Sequence, residues 1–349
     1  MKKLFIVITA IAFLTSCSKS DIAYNEPAEI AIAPVQKNMT KSVVPGQTFP
    51  ANESFNVFAW YNQVAAGTSA ESWNKSTDTE YIKESPFVQR DATTWGGQTP
   101  YYWPKLGSLL FAGYYPTSIA SAVTADVNIM TINDIEQRWV ERSGTDEDIM
   151  YFNTTNISYA AGPVSVTFKH ALSWLTVRLS RANDGIAVNN GYPKIVVNEV
   201  KFTNVVKKGT GTVTGQETIA WTPSTVKSDI TVNLTSTDPF TSVQKVELNN
   251  QIKILQEPLV IPQVFTDDME LVVNYSVYSS ENEYFTETYT QKLKGMASSD
   301  KDANNQAITI DKWDPAKHYI YNITIGIAEI LIKPEVDSWT PITVEVPVQ

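Results

Sequence analysis

The sequence predicts an all-β protein made of two tandem β-sandwich domains, and three observations support this. Short segments of alternating apolar and polar residues recur along the chain and are bounded by turn residues. Val, Ile, Thr and aromatic residues, which favour strands, are abundant, and nine residues are Trp. The length of 349 residues exceeds what one small domain needs, and 43% hydrophobic residues can fill two cores.

The first sixteen residues are typical of a bacterial lipoprotein signal peptide. Two lysines precede an apolar segment, residues 4–14, which is too short to span a bilayer stably. Leu-Thr-Ser-Cys at 14–17 then resembles the lipobox, whose cysteine becomes an acylated N-terminus. We expect residues 1–16 to be removed and Cys17, the only cysteine, to carry acyl chains such as palmitate in the outer membrane. An ordinary secretory signal with a chance cysteine is the alternative.

Residues 17–40 are expected to form a tether that contains a removable N-terminal strand, because residues 29–33 alternate briefly. Residues 41–160 are assigned to the first sandwich. Its strands are predicted at residues 54–61, 101–104 and 109–115, each bounded by glycine, proline or polar residues. Residues 132–142 are a modest helical candidate in a chain that otherwise shows almost no helical periodicity.

The stretch that organises the chain is residues 164–180, which we interpret as a half-buried strand that bends where the alternation breaks. It begins the second sandwich, residues 161–349. Further strands of this domain are predicted at residues 194–202, 229–234, 257–261, 270–278, 308–310, 319–325 and 329–339.

The C-terminal tail, residues 341–349, has one apolar face. Ile342, Val344, Val346 and Val348 alternate with polar residues and a proline. An unpaired strand with an apolar face favours association with another chain. The tail is therefore either a donor strand for another subunit or an ordinary last strand of the second domain.

Charge and composition exclude several functions. The formal net charge is −10, and it becomes −12 once the two lysines of the signal peptide are lost. An acidic chain without a basic stripe is a poor ligand for nucleic acid, so we expect no nucleic-acid partner.

The sequence shows no convincing active site. It holds two histidines, His170 and His318, and we expect His170 to be packed in the fold. Three acidic pairs, at 146/148, 267/268 and 281/283, are interpreted as solvated turns in preference to glycosidase carboxylates. The segment that begins at Asp300 has the oxygen spacing of a calcium loop, but a polar turn is favoured because the required Gly and Glu are absent. We expect no catalysis, metal or cofactor.

The aromatic segment at residues 93–116 permits two interpretations. Core packing is favoured, because prolines and short strands suit a sandwich. The alternative is a surface lipoprotein that binds glycans by stacking sugar rings on aromatic side chains. Exposure of Trp73, Trp95 and Trp103 separates these readings, since a glycan platform requires them to share a groove.

A series of motifs resembles the fimbrillin family, the type V pilus subunits of Gram-negative anaerobes and their surface-lipoprotein relatives. Each motif is weak alone, but together they cover most of the mature chain in order. They are the lipobox at Cys17, Trp95 with Tyr-Tyr-Trp-Pro at 101–104, Leu-Phe-Ala at 110–112 with Tyr-Tyr-Pro at 114–116, Asp-Ile-Met at 148–150, Phe-Lys-His-Ala-Leu-Ser at 168–173 with Leu175, Pro-Leu-Val-Ile-Pro-Gln at 258–263, Trp-Asp-Pro-Ala-Lys at 313–317 with Tyr319 and Tyr321, and Trp339.

The resemblance implies two transthyretin-like Greek-key sandwiches, export as a lipoprotein, and placement in a fimbrium on the cell surface. It also implies that an arginine-specific protease removes an N-terminal strand and that a strand of another subunit fills the groove, which is β-strand addition. Ile342, Val344, Val346 and Val348 are then the candidate donor strand. Other fimbrial subunits and a surface glycan or protein receptor are the expected partners.

One departure from the family concerns processing. No arginine precedes Arg90, and the expected cleavage region carries Lys37 and Lys41 instead. These lysines are the candidate processing sites. A different protease, or no cleavage and a permanently anchored protein, stay open as alternatives. Ala316 also replaces the usual glycine of its motif, a small change with little functional weight.

Overall fold

The computed structural model describes residues 28–34, 49, 52–64, 79–139, 148–159, 162–183, 185–186, 191, 193–232, 234, 245–249, 252–301, 304–327 and 330–338. In these ranges the chain forms 27 strands and one short 3-10 helix, Thr117–Ala122. The predicted all-β class is therefore confirmed. In the same ranges, no helix has the length and apolar character needed to cross a membrane.

The strands are numbered in chain order. Those up to residue 181 are β1 (Ala31–Pro34), β2 (Phe55–Asn62), β3 (Thr79–Gln89), β4 (Trp95–Gly97), β5 (Ser108–Tyr115), β6 (Val123–Asp126), β7 (Ile129–Glu136), β8 (Arg138–Trp139), β9 (Met150–Asn153), β10 (Val164–Val166), β11 (Lys169–His170) and β12 (Ser173–Arg181). Those that follow are β13 (Lys194–Val206), β14 (Lys208–Thr214), β15 (Ala220–Pro223), β16 (Lys227–Val232), β17 (Val246–Leu248), β18 (Lys253–Ile254), β19 (Pro258–Val260), β20 (Gln263–Val264), β21 (Glu270–Tyr278), β22 (Glu283–Lys292), β23 (Met296–Lys301), β24 (Ala307–Ile310), β25 (Lys312–Trp313), β26 (Lys317–Ile325) and β27 (Ile330–Ser338).

The N-terminal part of the chain forms an eight-stranded sheet in the order β10-β1-β4-β3-β2-β5-β9-β11. Its two end strands, β10 and β11, are separated by only two residues in the chain, so the sheet curls until its ends come close. Inside lies a cluster that we call the aromatic core. It contains Ile30, Ile32, Phe49, Phe55, Val57, Ala59, Ile82, Phe87, Trp95, Trp103, Leu109, Phe111, Tyr115, Met150, Phe152, Val164, Val166 and Phe168.

Strands drawn mostly from the C-terminal part form two sheets that face each other. One layer has the order β27-β26-β12-β19-β8, with β18 beside β12, and the other has the order β16-β13-β21-β22, with β17 beside β13. Apolar side chains such as Leu175, Val177, Val197, Phe202, Val273 and Tyr321 fill the space between the layers, and we call this cluster the aliphatic core. Alternation along these strands places their apolar faces towards each other.

A four-stranded sheet, in the order β15-β14-β7-β6, draws strands from both halves of the chain. It covers a third cluster, the middle core, which includes Phe58, Trp60, Tyr114, Ile132, Tyr151, Trp174, Val213 and Leu259. The predicted domain boundary near residue 160 stays a prediction, and this sheet pairs strands that lie on either side of it.

The organising stretch, residues 164–180, is divided among three strands. β10 and β11 belong to the eight-stranded sheet, whereas β12 lies inside the six-stranded sheet. The expected break in alternation is where the chain passes from one sheet to the other. The expectation of a half-buried strand is wrong for β12, because Leu175 faces the aliphatic core while Trp174, on the opposite face, packs in the middle core.

The helix predicted over residues 132–142 is wrong for the residues that the structure describes. Residues 129–136 form β7, and residues 138–139 form β8. Asp134 has a φ of 48°, and the pairing of β7 with β14 shifts register at this point. The buried residues are therefore Met130, Ile132 and Ile135. A bulge changes the spacing of buried positions from two to three, which imitates a helical stripe.

Candidate functional site: the groove that holds β1

Strand β1 is short but lies inside its sheet. It pairs in parallel with β10, from Ile32 opposite Val164 to Pro34 opposite Val166. It pairs antiparallel with β4 on its other side, at Ala31 opposite Gly96 and at Ile32 opposite Trp95. Withdrawal of β1 would therefore leave backbone groups of two neighbouring strands without partners.

The residues just before β1 extend the same antiparallel ladder. Ile30 donates its backbone N–H to the carbonyl of Tyr101 at 2.7 Å, and Trp103 donates to the carbonyl of Ala28 at 2.9 Å. Glu29 forms the bridge to Tyr102 between these two bonds. The strand predicted at residues 101–104 is wrong, because this segment forms only an isolated bridge at Tyr102, but two hydrogen bonds join the segment to the residues that precede β1. We call the site occupied by residues 28–34 the β1 groove.

A tyrosine supports this wall of the groove. The Tyr81 hydroxyl donates a hydrogen bond of 2.5 Å to the carbonyl of Tyr102. Burial, with a smaller contribution from neighbouring Tyr61, raises the pKa of Tyr81, so the hydroxyl stays a proton donor at neutral pH. The segment that receives residues 28–30 is therefore tied to β3 and does not depend on β1 alone.

The inner face of the groove is apolar. Ile30 and Ile32 are fully buried and belong to the aromatic core together with Trp95, Trp103 and Val164. Removing these two side chains from water contributes roughly 1.5–3 kcal/mol each. The inner face therefore accepts two apolar side chains at alternating positions.

The outer face of the groove carries a cation. Arg90 lies across β4 at Gly96, where an added Cβ would stand 2.9 Å from the Arg90 Nε. The guanidinium donates to the carbonyl of Gly97, and its Nη2 lies 3.7 Å from Glu29 Oε1. Both charged side chains are about two-fifths exposed, at 41% and 42%. Glycine at position 96 gives Arg90 the room to reach β1.

The predicted site residues lie outside the described residues. Cys17, Lys37, Lys41, Ile342, Val344, Val346 and Val348 all fall in this category. The first described residue after the lysines is Phe49. It is 1% exposed and packs edge-on against Trp95 and Phe55 in the aromatic core. Their roles therefore stay predictions.

The tryptophans proposed for a glycan platform do not form one as a group. Trp95 is 1% exposed and donates its indole N–H to the carbonyl of Glu53 at 2.9 Å. Trp103 is 6% exposed and packs edge-on against Phe111. Trp73 lies outside the described residues. The core interpretation of the aromatic segment is thus the correct one for Trp95 and Trp103.

The sequence-based expectations for Asp148 and Asp300 are wrong. Asp148, expected in a solvated turn, is fully buried, and its Oδ2 lies 2.6 Å from Nδ1 of His170. Asp300, expected in a polar turn, lies in β23 and accepts a hydrogen bond from the backbone N–H of Val336 at 2.8 Å. His170 is packed as predicted. No signal in the local sequence distinguishes a buried carboxylate from an exposed one.

Asp267, Asp268 and His318 have structural partners. Asp267 and Asp268 lie on the surface and pair with Lys294 and Lys227, respectively, as expected for a solvated turn. The ring of His318 stacks on Trp174 with 3.8 Å between centroids. In the described part of the chain, no group of three or more His, Cys, Asp or Glu side chains is placed to hold a metal ion.

Stacked sheets and a short strand inserted between β4 and β10 define a β-sandwich protein whose N-terminal strand is held by few residues. The fimbrillin-like family model matches residues 40–339, and the chain therefore belongs to the fimbrillin-like family. The match begins after β1 and ends one residue beyond β27. No curated protein matches the chain at a significant level.

Solved structures share the fold. A fimbrial protein from Bacteroides vulgatus is 15% identical with a TM-score of 0.56, over 90% of this chain and 100% of that chain. A candidate cell adhesion protein from Bacteroides uniformis is 15% identical with a TM-score of 0.53, over 89% and 99% of the respective chains. Another from Bacteroides ovatus is 13% identical with a TM-score of 0.51, over 90% and 98%. At these identities the likeness concerns the fold alone.

Proposed function

We propose that this chain is a lipid-anchored fimbrial subunit or adhesin of the outer-membrane surface, non-enzymatic, that assembles by exchange of β1 for a strand of another subunit. Membership of the fimbrillin-like family supports the fimbrial role. The descriptions of the structural relatives as fimbrial or candidate adhesion proteins agree with it. A fimbrial role would place the protein in a fimbrium at the cell surface.

The position of β1 is the observation that carries the exchange. It is an internal strand, yet its ladder covers only three residues on β10 and two on β4. The connection from β1 to Phe49 contains Lys37 and Lys41. Cleavage at either lysine would detach β1 from the rest of the chain and leave Phe49 in the aromatic core. The groove would then offer unpaired backbone groups and two apolar pockets.

The proposed donor is the tail at residues 341–349 of another copy or subunit. Its four alternating apolar residues match a groove that buries every second side chain. Each buried side chain contributes roughly 1.5–3 kcal/mol before the cost of ordering the tail. Strand β27 ends at Ser338, so the tail follows directly on the last strand of the six-stranded sheet.

The decisive experiment is a gel of denaturant-resistant multimers. Wild type should form a ladder, and deletion of residues 341–349 should abolish it while leaving a folded, exported monomer. Val346→Asp should do the same, because it brings an unpaired carboxylate into an apolar pocket. Thr343→Asp, which alters the polar face, is the matched control and should keep the ladder. A ladder from the truncated chain would exclude the tail as donor.

Processing is tested separately. A double variant, Lys37→Gln with Lys41→Gln, should retain its N-terminus, as judged by mass spectrometry of protein extracted from the cell surface. The same variant should form no ladder on the gel. If wild-type protein extracted from the cell surface still begins at Cys17, cleavage at the lysines is excluded and a permanently anchored protein is favoured.

The anchor depends on Cys17. Cys17→Ala should abolish acylation and outer-membrane retention without loss of folding, since the thiol is the attachment point for the acyl chains. Membrane fractionation compares wild type with Cys17→Ala and with Cys17→Ser, and both unacylated variants should leave the membrane fraction. Retention of either variant in the membrane fraction would contradict the lipoprotein assignment.

A further inference from the structure

The tail repeats the pattern of the strand that it is proposed to replace. Residues 29–32 read Glu-Ile-Ala-Ile, and residues 345–348 read Glu-Val-Pro-Val. In both segments one acidic residue is followed by apolar residues one and three positions later. Ile30 and Ile32 point into the aromatic core, and Glu29 lies on the outer face.

The inner face alone cannot select one register. Ile342, Val344, Val346 and Val348 are all apolar, so three registers, each shifted by two residues, place two of them in the pockets of Ile30 and Ile32. An alternating apolar tail can therefore slip along the groove. A second contact, on the other face, is needed to distinguish these registers.

The outer face supplies that contact. Glu345 is the only charged residue in the tail, and Arg90 is the cation that faces β1 on this side through Glu29. Arg90 is positioned by its bond to the Gly97 carbonyl and by the space at Gly96, neither of which involves β1. The cation would therefore stay over the groove after Glu29 has left with β1.

We propose that Glu345 of an incoming tail takes the place of Glu29 beside Arg90, so that Arg90 sets the register of the donor strand. Val346 and Val348 then fill the pockets of Ile30 and Ile32. This inference rests on the proposed strand exchange and adds its partner segment and specificity-determining residue.

The backbone of β1 is compatible with Pro347 at this register. Residues 28 and 30 direct their backbone groups towards residues 101–103, so by alternation residue 31 directs its N–H towards β10. The ladder with β10 begins only at Ile32. A proline in the place of Ala31 therefore removes no hydrogen bond of the recorded ladder, and the tail can run in the direction of β1.

The experiment uses the full chain with a site for a sequence-specific protease inserted after Gln36. After cleavage, a fluorescent peptide of residues 339–349 displaces the β1 fragment, and anisotropy measures its affinity. Glu345→Lys in the peptide should weaken binding about three- to tenfold, and Arg90→Glu in the protein should do the same. Combining the two should restore most of the loss, and 1 M NaCl should reduce the differences.

Three peptide variants separate register from general charge. Thr343→Lys adds one positive charge away from Arg90, half the charge change of Glu345→Lys, and should not be rescued by Arg90→Glu. Val348→Asp should weaken binding at least a hundredfold, whereas Ile342→Asp should have little effect, because in this register Val348 enters a pocket and Ile342 does not. Equal sensitivity at both ends, or a stronger effect at Ile342, would overturn the proposed register.

The outcomes also separate this inference from the proposed function. If the wild-type peptide does not bind the cleaved chain, strand exchange itself is wrong. If it binds, but Glu345→Lys and Arg90→Glu neither weaken binding nor compensate each other, exchange stands and the role of Arg90 is excluded.

Discussion

Strands β1 and β12 have the same kind of position but different extents. Each lies inside a sheet between one parallel and one antiparallel neighbour. β12 follows β26 over eight residues and also pairs with β18 and β19, whereas β1 follows β10 over three residues and β4 over two. β12 is buried on both faces, while β1 buries Ile32 on one face and leaves Ala31 and Ala33 partly exposed on the other.

The comparison shows that an internal position does not by itself make a strand permanent. The number of paired residues and buried faces decides how much free energy a strand loses when it leaves. β12 joins two cores and holds the six-stranded sheet together. The segment that contains β1 is held by a short ladder and by two buried apolar side chains, Ile30 and Ile32.

The largest expected effect is at β12. Leu175→Ala should lower the free energy of unfolding by about 2–5 kcal/mol, because Leu175 is fully buried in the aliphatic core and its truncation leaves a cavity. Urea denaturation measures the loss. Val264→Ala, at a position that is 68% exposed, is the control and should change stability by less than about 0.5 kcal/mol. An unchanged midpoint for Leu175→Ala would mean that β12 does not hold the fold.

A truncation in β1 should act locally. Ile32→Ala should destabilise the inserted strand by about 2 kcal/mol, which corresponds to a roughly 30-fold increase in strand release. Hydrogen exchange at the amides of β4 and β10 should accelerate accordingly, while β13 and β21 keep their protection. Equal acceleration in both regions would mean that β1 and β12 unfold as one unit.

Alkaline pH should weaken the region around β12. Burial raises the pKa of Tyr319 to about 12, and it also raises the pKa of Tyr321, the next tyrosine on β26. An unfolded tyrosine ionises near pH 10. The stabilisation is therefore complete below pH 10 and is lost as pH rises towards 12, with a slope of about 1.4 kcal/mol per pH unit for each group. Tyr319→Phe should flatten this slope in urea titrations at pH 9–11.5, and an unaltered slope would contradict it.

The smallest expected effect concerns the outer face of β1. Glu29→Gln removes an exposed ion pair with Arg90 and should change the release of β1 by no more than about 1 kcal/mol. The same exchange measurement detects it at low salt and should show no difference in 1 M NaCl. An effect as large as that of Ile32→Ala would mean that the charge, and not burial, retains β1.

Local alternation predicted many strands well. The segment at residues 270–278 has the observed bounds of β21, and residues 54–61 differ from β2 by one residue at each end. Strand β3 was not predicted, because its charged residues and Pro86 interrupt the pattern and its pairing with β2 is irregular. A bulged or mixed pattern no longer reports which face is buried.

The candidate site could be predicted only in part. The sequence predicted an N-terminal strand at residues 29–33, and the donor role of the apolar tail at residues 341–349 stays a prediction. It did not indicate that β1 lies between β4 and β10, or that Gly96 lets Arg90 reach Glu29. Arg90 is 61 positions away from Glu29 in the chain, and no local pattern in either segment predicts that the two residues pair.

The amino-acid sequence by itself determined the all-β class, most strand positions and the family, because alternation and short motifs are written within a few neighbouring residues. The tertiary structure decided which strands pair, that Asp148 meets His170 in the interior, and that β12 is buried on both faces. Many strands of this chain have equivalent apolar faces, so local sequence does not specify their partners. Those partners are determined by packing all the strands together, which depends on contacts between residues that are far apart in the sequence.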